Sequence, residues 1–164
     1  MLYFIDIEGI RTVELADIDR KIIEILQSNG RTPYTEIAKR LKISEGTVRK
    51  RVTRLTENQV IQIVGLIDPV QLGFNAPAMI GVSIDPPQID AAAKEIATFP
   101  EVSYLIMVSG VFDLIVEVLC RDRADLVNFL NTKLHQVPGV NDTQTFLTLQ
   151  TYKMAYGARP MVER

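Results

Sequence analysis

The run ELADIDRKIIEILQSNGRTPYTEIAKRLKISEGTVRKRVTRLTENQVI, residues 14–61, decides the fold of the first half of the chain. It holds three apolar-periodic segments in close succession. In the first, Ile18, Ile22, Ile25 and Leu26 recur at i, i+4, i+7 and i+8, which puts them on one face of a helix. Asp17 and Asp19 stand near its start, where the helix dipole favours anions, and Gly30 is placed to end it. The second segment opens on Thr32-Pro33, an expected N-cap followed by proline at the first helical position. Its apolar stripe is Ile37, Ala38 and Leu41. Ser44 then caps a third helix running to about Asn58, with Val48, Val52 and Leu55 facing inward.

About three residues join the second and third helices, enough only for a sharp corner. That is the helix-turn-helix layout, whose second member lies in the major groove of DNA. At about 100° per residue, Val48, Val52 and Leu55 share a narrow sector. Gly46, Lys50, Thr53 and Arg54 fall opposite it, with Thr47 and Arg49 flanking. An outward face that is basic and hydroxyl-bearing suits phosphate oxygens and base edges. Arg49, Lys50 and Arg54 are the expected phosphate contacts, and Ser44, Glu45 and Thr47, at the helix start, the expected base contacts. Arg31, from the same basic run, joins the DNA-binding set. Gly46 lets the backbone approach a duplex closely. Arg51 lies nearer the core edge and reads as a snorkelling side chain within reach of a phosphate.

Charge supports the same partner. The chain has 18 Lys/Arg and 20 Asp/Glu, a net −2, but residues 1–64 balance at +2 and residues 65–164 at −4. Residues 31–54 hold eight basic groups against only Glu36 and Glu45, which concentrates a polyanion-binding surface in one region. The remaining composition excludes much else. A single cysteine, Cys120, rules out an internal disulfide framework or a Cys-rich zinc site, and a reduced cytoplasmic setting is the expectation. One histidine, His135, excludes a multi-histidine zinc hydrolase and leaves one candidate for Ser-His catalysis. There is no nucleophile elbow, phosphate loop or dinucleotide fingerprint. No catalytic residue, metal site or cofactor is expected. No apolar run reaches the roughly 18–20 residues that span a bilayer, and Asp6 and Glu8 interrupt the apolar start MLYFIDIEG, so no membrane or secretory segment is expected either.

After Asn58 the texture changes. IQIVGLID (61–68) reads as a strand, broken by Asp68-Pro69 and Gly73. Beyond it come a strand at 78–84, a helix at 89–97, strands at 102–108 and 112–120 joined by Ser109-Gly110-Val111, a helix at 124–134, and a long strand at 143–154. The order β-α-β-β-α-β is the ferredoxin-like unit, with both helices on one face of a four-stranded antiparallel sheet. The other face would expose apolar side chains, and self-association is the expected way to cover them. Cys120 falls on the Leu114/Val116/Val118 side of its strand, as a small buried hydrophobe. The fold class is therefore α+β. The expected domains are an extension at 1–13, able to pair as a strand, a winged helix-turn-helix at 14–60, a strand and linker at 61–76, a ferredoxin-like domain at 77–154 and a tail at 155–164.

The first half resembles the DNA-binding domain of the leucine-responsive/asparagine-responsive (Lrp/AsnC, feast/famine) regulators. Asp17-x-Asp19-Arg20-Lys21-Ile22, Asn29-Gly30-Arg31, Ile37-Ala38 and Ser44-x-x-Thr47-Val48-x-x-Arg51-Val52-x-x-Leu55 carry the likeness. The second half resembles the family's effector-binding domain, through Val108-Ser109-Gly110-Val111-Phe112-Asp113 and Pro138-Gly139-Val140-Asn141-Asp142-Thr143-x-Thr145. The resemblance implies a DNA-binding transcription regulator that forms a homodimer, assembles further to an octamer, and holds a small effector such as an amino acid between neighbouring dimers. Gly110 can take positive φ and offer its N–H to an α-carboxylate. Asp113 suits an α-ammonium, and Ser109, Thr143 and Thr145 offer neutral hydrogen bonds. Gly110 and Asp113 equally suit a purely structural turn, with Asp113 bonding the backbone of that turn. His135, at a helix end, and Phe112, near Phe146 and Leu147, complete the candidate effector set. Two alternatives stay open: an architectural DNA-coating protein without effector, and a tetrapyrrole decarboxylase of the same architecture. The second would need basic residues in the effector half, which is instead acidic.

Overall fold

The computed structural model describes residues 14–65 and 67–152. They form two compact units that divide in sequence between Leu66 and Ile67. Residues 1–13, for which strand pairing was an option, and the tail at 155–164 lie outside the described residues.

The N-terminal unit is three helices: α1 (Asp17–Ser28), α2 (Tyr34–Leu41) and α3 (Glu45–Glu57). Their apolar stripes meet in one core, where Ile22, Ile37, Val48 and Leu55 are fully buried, flanked by Leu26 and Val52. The corner between α2 and α3 is turned by Lys42, which sits in the left-handed region at φ 55° while Ile43 N–H donates to the Ala38 carbonyl at 3.0 Å. A side chain there costs about 1–2 kcal/mol, offset by a corner that presents α3 across α2. Ser44 caps α3 as expected, its Oγ accepting from Thr47 N–H at 3.1 Å.

α1 stops at Ser28, with Asn29 as its C-cap and Gly30 immediately beyond it, as the sequence leads one to expect. Two local expectations are corrected. Thr32 does not cap α2: Pro33 holds that position, its carbonyl accepting from Glu36 and Ile37 N–H. The Thr32 hydroxyl is buried and donates to the Asn29 carbonyl at 2.7 Å, so it closes the turn from α1 instead. Residues 61–68 form no strand among the described residues, and the expected wing is not seen there. An apolar alternation becomes a strand only beside a partner backbone, and no described segment pairs with this one. Ile61 N–H returns to the Leu55 carbonyl, while Ile63 and Val64 stay exposed.

The C-terminal unit follows the order β1 (Ala76–Ile84), α4 (Ile89–Ile96), β2 (Val102–Met107), β3 (Leu114–Cys120), α5 (Arg123–Thr132) and β4 (Val140–Leu147). The strands form one antiparallel sheet in the order β2-β3-β1-β4, the ferredoxin-like arrangement. Alternation along the central strands sorts the side chains. Ala78, Ile80 and Val82 of β1 and Leu114, Val116, Val118 and Cys120 of β3 are fully buried, packed with Ile96 of α4 and Phe129 of α5. Phe129 meets Phe99 edge-on, ring centroids 6.0 Å apart. The opposite sheet face carries Met79, Ile106, Ile115 and Phe146, and no described element of the unit covers it.

β4 ends at Leu147 rather than Met154. Thr148 still donates to the Pro77 carbonyl, where β1 itself begins to run out, so the chain beyond it has little strand left to pair with. The β2–β3 connection is also longer than the expected three residues, spanning 108–113. Among the described residues no helix is long and apolar enough to cross a membrane.

Candidate nucleic-acid interface and effector site

The outer face of α3 forms an open hollow of about 570 Å³ lined by Ser44, Gly46, Thr47, Lys50, Arg51 and Arg54. Ser44 and Thr47 stand one turn apart with their hydroxyl oxygens 2.8 Å from each other, so each still has capacity for an outside partner. A methyl group on Gly46 would touch only Ser44 Oγ, at 3.9 Å, which keeps this part of the hollow open to an approaching backbone.

The cations of the face differ in how they are held. Arg49 Nη2 is 2.8 Å from Glu45 Oε1, and its guanidinium lies 5.4 Å from the centre of the Tyr34 ring on α2. Glu45 and Arg49, both expected DNA contacts, therefore stand beside the hollow and engage each other. Arg40 pairs with Glu36 on α2. Lys50 has no carboxylate partner among the described residues. Arg31 lies on the α1–α2 turn, its N–H donating to Asn29 Oδ1, and does not line the hollow.

Arg54 departs from its simple outward placement. Its Nη2 reaches back to Asp19 Oδ2 at 2.6 Å, and Arg51 Nη1 donates to Asp19 Oδ1 at 2.9 Å. Asp19, from the first turn of α1, is entirely buried, while the two guanidinium side chains remain 46% and 32% exposed. A helical wheel centred on α3 alone cannot anticipate this, because the carboxylate comes from another helix. The signal lies in α1. Asp19 stands three residues before Ile22, four before Ile23 and seven before Leu26, so it falls on the buried stripe and not merely at a helix start. A buried carboxylate requires a cation, and Arg51 and Arg54 supply two from successive turns of α3.

The candidate effector residues of the second unit fall into separate groups. Gly110 stands in the β2–β3 connection at φ +156°, with nothing within 4 Å of where a side chain would begin. Val108 N–H donates to the Asp113 carbonyl and Asp113 N–H to the Val82 carbonyl, which fixes the connection's exit. Asp113 Oδ2 accepts from Ile84 N–H at 2.7 Å. The carboxylate thus ties down the end of β1 rather than its own turn, and Oδ1 remains without a partner among the described residues. His135, on the turn after α5, has Nε2 2.8 Å from Thr143 Oγ1. Thr143 and Thr145 stand opposite Val82 and Ile80, on the helix-covered side of the sheet's β4 edge. Phe112 lies on the other face, over Gly81, with the Phe146 ring edge-on at 6.5 Å. Within one chain, His135 meets Thr143 and Phe112 meets Phe146, but the seven residues do not line one pocket.

Comparison with known proteins agrees with both halves. Residues 15–56 match the AsnC-type helix-turn-helix domain, and residues 77–158 match the Lrp/AsnC ligand binding domain. An uncharacterised HTH-type transcriptional regulator of Pyrococcus horikoshii is 37% identical over 147 residues, covering 89% of this chain and 93% of that protein. The structure of AsnC from E. coli superposes with a TM-score of 0.81 at 26% identity, covering 90% of this chain and all of that one. A transcriptional regulator of Neisseria meningitidis in complex with L-Met gives a TM-score of 0.78 at 26% identity, over 87% of this chain and 94% of that one. An AsnC-type helix-turn-helix, followed by a ligand-binding ferredoxin-like domain in the same order along nearly the whole chain, places this protein in the Lrp/AsnC family of DNA-binding transcription regulators, which are not enzymes.

Proposed function

We propose that this regulator reads specific duplex sequences through the outer face of α3 and adjusts that reading to an amino acid or related small metabolite bound by its second domain. The observation that carries the DNA half is the hollow itself: hydroxyls at the start of α3, an open Gly46, two arginines, and Lys50, which has no carboxylate partner among the described residues. Lys50 and the arginines serve phosphate oxygens, and Ser44, Glu45 and Thr47 serve base edges. A homodimer presents two such faces to successive major grooves about 34 Å apart.

The effector half rests on different observations. The related Neisseria regulator was solved with L-Met. In this chain Gly110 exposes its backbone, and Asp113, tied to Ile84 N–H through Oδ2, keeps Oδ1 without a partner among the described residues. Those groups match the α-carboxylate and α-ammonium common to all amino acids. The division of the candidate residues within one chain fits a site completed between copies. The apolar sheet face calls for a partner of its own shape, so a homodimer that assembles further, to an octamer, is the proposed state. The setting is the reducing cytoplasm, where Cys120 stays a thiol.

Thermal melting against each of the twenty amino acids tests the effector assignment. A ligand at 100 times its Kd stabilises by about 2.7 kcal/mol, a rise of roughly 5–10 °C for a chain of this size. One selective stabiliser is expected, with the shift lost in Asp113→Ala. Absence of any shift would turn the reading toward an architectural DNA-coating protein.

A further inference from the structure

We infer that Asp19 is a positioning residue for DNA recognition: it fixes Arg51 and Arg54 as a rigid two-guanidinium floor beneath the hollow of α3, so that they read geometry rather than simply add charge. This rests on the reading of that face as the DNA interface.

Each oxygen of Asp19 has its own arginine, Oδ1 to Arg51 and Oδ2 to Arg54, and Oδ2 also accepts from Ala16 N–H at 3.1 Å. The carboxylate is entirely buried and its backbone is helical, so the anchor does not wander. A guanidinium has five N–H donors in a fixed planar fork. Asp19 takes one from each arginine, and the partial exposure of both side chains leaves further donors directed toward the hollow they line with Ser44, Thr47 and Lys50. An unanchored arginine would lose rotamer freedom on binding, whereas these two are ordered beforehand. The anchor also lowers net charge. One carboxylate beneath Arg51, Arg54 and Lys50 leaves the hollow less cationic than its three bases alone would make it. Counterion release, and with it sequence-independent affinity, is reduced. A buried acid here therefore favours the ratio of specific to non-specific binding over bulk attraction, and that ratio governs occupancy among many competing sites.

The test uses the full chain, a duplex enriched by it from a random pool, and a scrambled duplex of equal length, with binding followed by fluorescence anisotropy over a range of salt. Asp19→Asn keeps the shape of the side chain and removes its charge. The expected result is divergence. Affinity for the selected duplex falls about tenfold or more, affinity for the scrambled duplex holds or rises, and the salt dependence steepens by up to about 0.9, because one carboxylate no longer offsets the charge of the two arginines. A residue that only supported the fold would weaken both duplexes by one common factor, and that result, or an unchanged ratio, would overturn the inference. If Asp19→Asn does not fold, Arg54→Lys decides. It keeps the charge but loses the fork, so selected-duplex affinity falls while the salt slope stays, and wild-type affinity for the selected duplex would refute the inference. Failure of the wild-type chain to enrich any duplex would instead overturn the underlying DNA-interface reading.

Discussion

Gly81 is the position where adding one carbon has the most legible consequence. It lies in the middle of β1, with Ile115 of β3 on one side and Gln144 of β4 on the other, so its backbone is held from both edges. A Cβ built there would stand 2.5 Å from Phe112 Cε2 and 2.6 Å from Phe112 Cγ. Ordinary carbon contacts lie at about 3.5–4.0 Å. Because the strand is held from both edges, the ring must retreat by about 1 Å, which disturbs its edge-on contact with Phe146. Overpacking of this kind costs about 1–3 kcal/mol, and the disturbed aromatic pair adds at most about 0.5–1.5 kcal/mol. Against that stands about 0.5–1 kcal/mol gained by replacing a strand glycine with alanine. Gly81→Ala should therefore destabilise the effector domain by about 1–3 kcal/mol, at about 4–8 °C of melting temperature per kcal/mol for a unit of this size. A double-mutant cycle isolates the cause. In a Phe112→Ala background the added methyl meets no ring, and Gly81→Ala should cost nothing or stabilise slightly. Equal costs in both backgrounds, measured by thermal or urea denaturation, would refute the packing argument.

Lys50→Ala should weaken binding to every duplex and lower the salt slope by about 0.9 per bound copy, because Lys50, unlike Arg49, Arg51 and Arg54, has no carboxylate partner among the described residues. Unchanged affinity and slope would remove it from the interface. Thr47→Ala, which deletes the hydroxyl beside Ser44, should alter sequence preference more than overall affinity when the two are compared on selected and scrambled duplexes. Burial, helped by the charges of Asp125 and Glu101, pushes the Cys120 thiol up from 9.0 to about 11. Iodoacetamide at pH ~8 should leave the folded thiol unmodified and label it completely in denaturant. Since the unfolded thiol loses its proton first as pH rises, the Cys120 contribution to stability is intact below about pH 9 and lost progressively toward pH 11. Cys120→Ala should remove that part of the alkaline decline in the urea midpoint.

The helices and the sheet were legible because their information is periodic and local. Ile22, Ile37, Val48 and Leu55 recur at helical spacing and converge in one core, and β1 and β3 alternate as strands with one covered face do. Local pattern falls short wherever the outcome depends on a second segment. The alternation of residues 61–68 suits a strand, but without a neighbouring backbone it stays unpaired. Thr32-Pro33 looks like a cap and a first helical residue, yet the hydroxyl finds the Asn29 carbonyl, an acceptor in the preceding turn. Counting along α3 puts Arg54 on the outer face, where it does line the hollow, but cannot show that its guanidinium is also held by a carboxylate 35 residues earlier. The same limit applies to the effector residues. The chemistry of Gly110 and Asp113 is local and readable, whereas their meeting with His135, Thr143 and Phe112 depends on long-range placement. The sheet puts Phe112 on one face and Thr143 on the other.

If a small ligand in the second domain controls what α3 does on DNA, the affinity of the full chain for its selected duplex must change when that ligand is added at fixed salt, and each amino acid can be tried in turn. Coupling between two such sites is typically about 5–150-fold. L-methionine is the first ligand to try. At least one amino acid should shift the Kd by about fivefold or more in either direction, and Asp113→Ala should abolish the shift while leaving ligand-free DNA binding intact. A Kd that no amino acid moves, for a chain that still selects its duplex, would contradict such control.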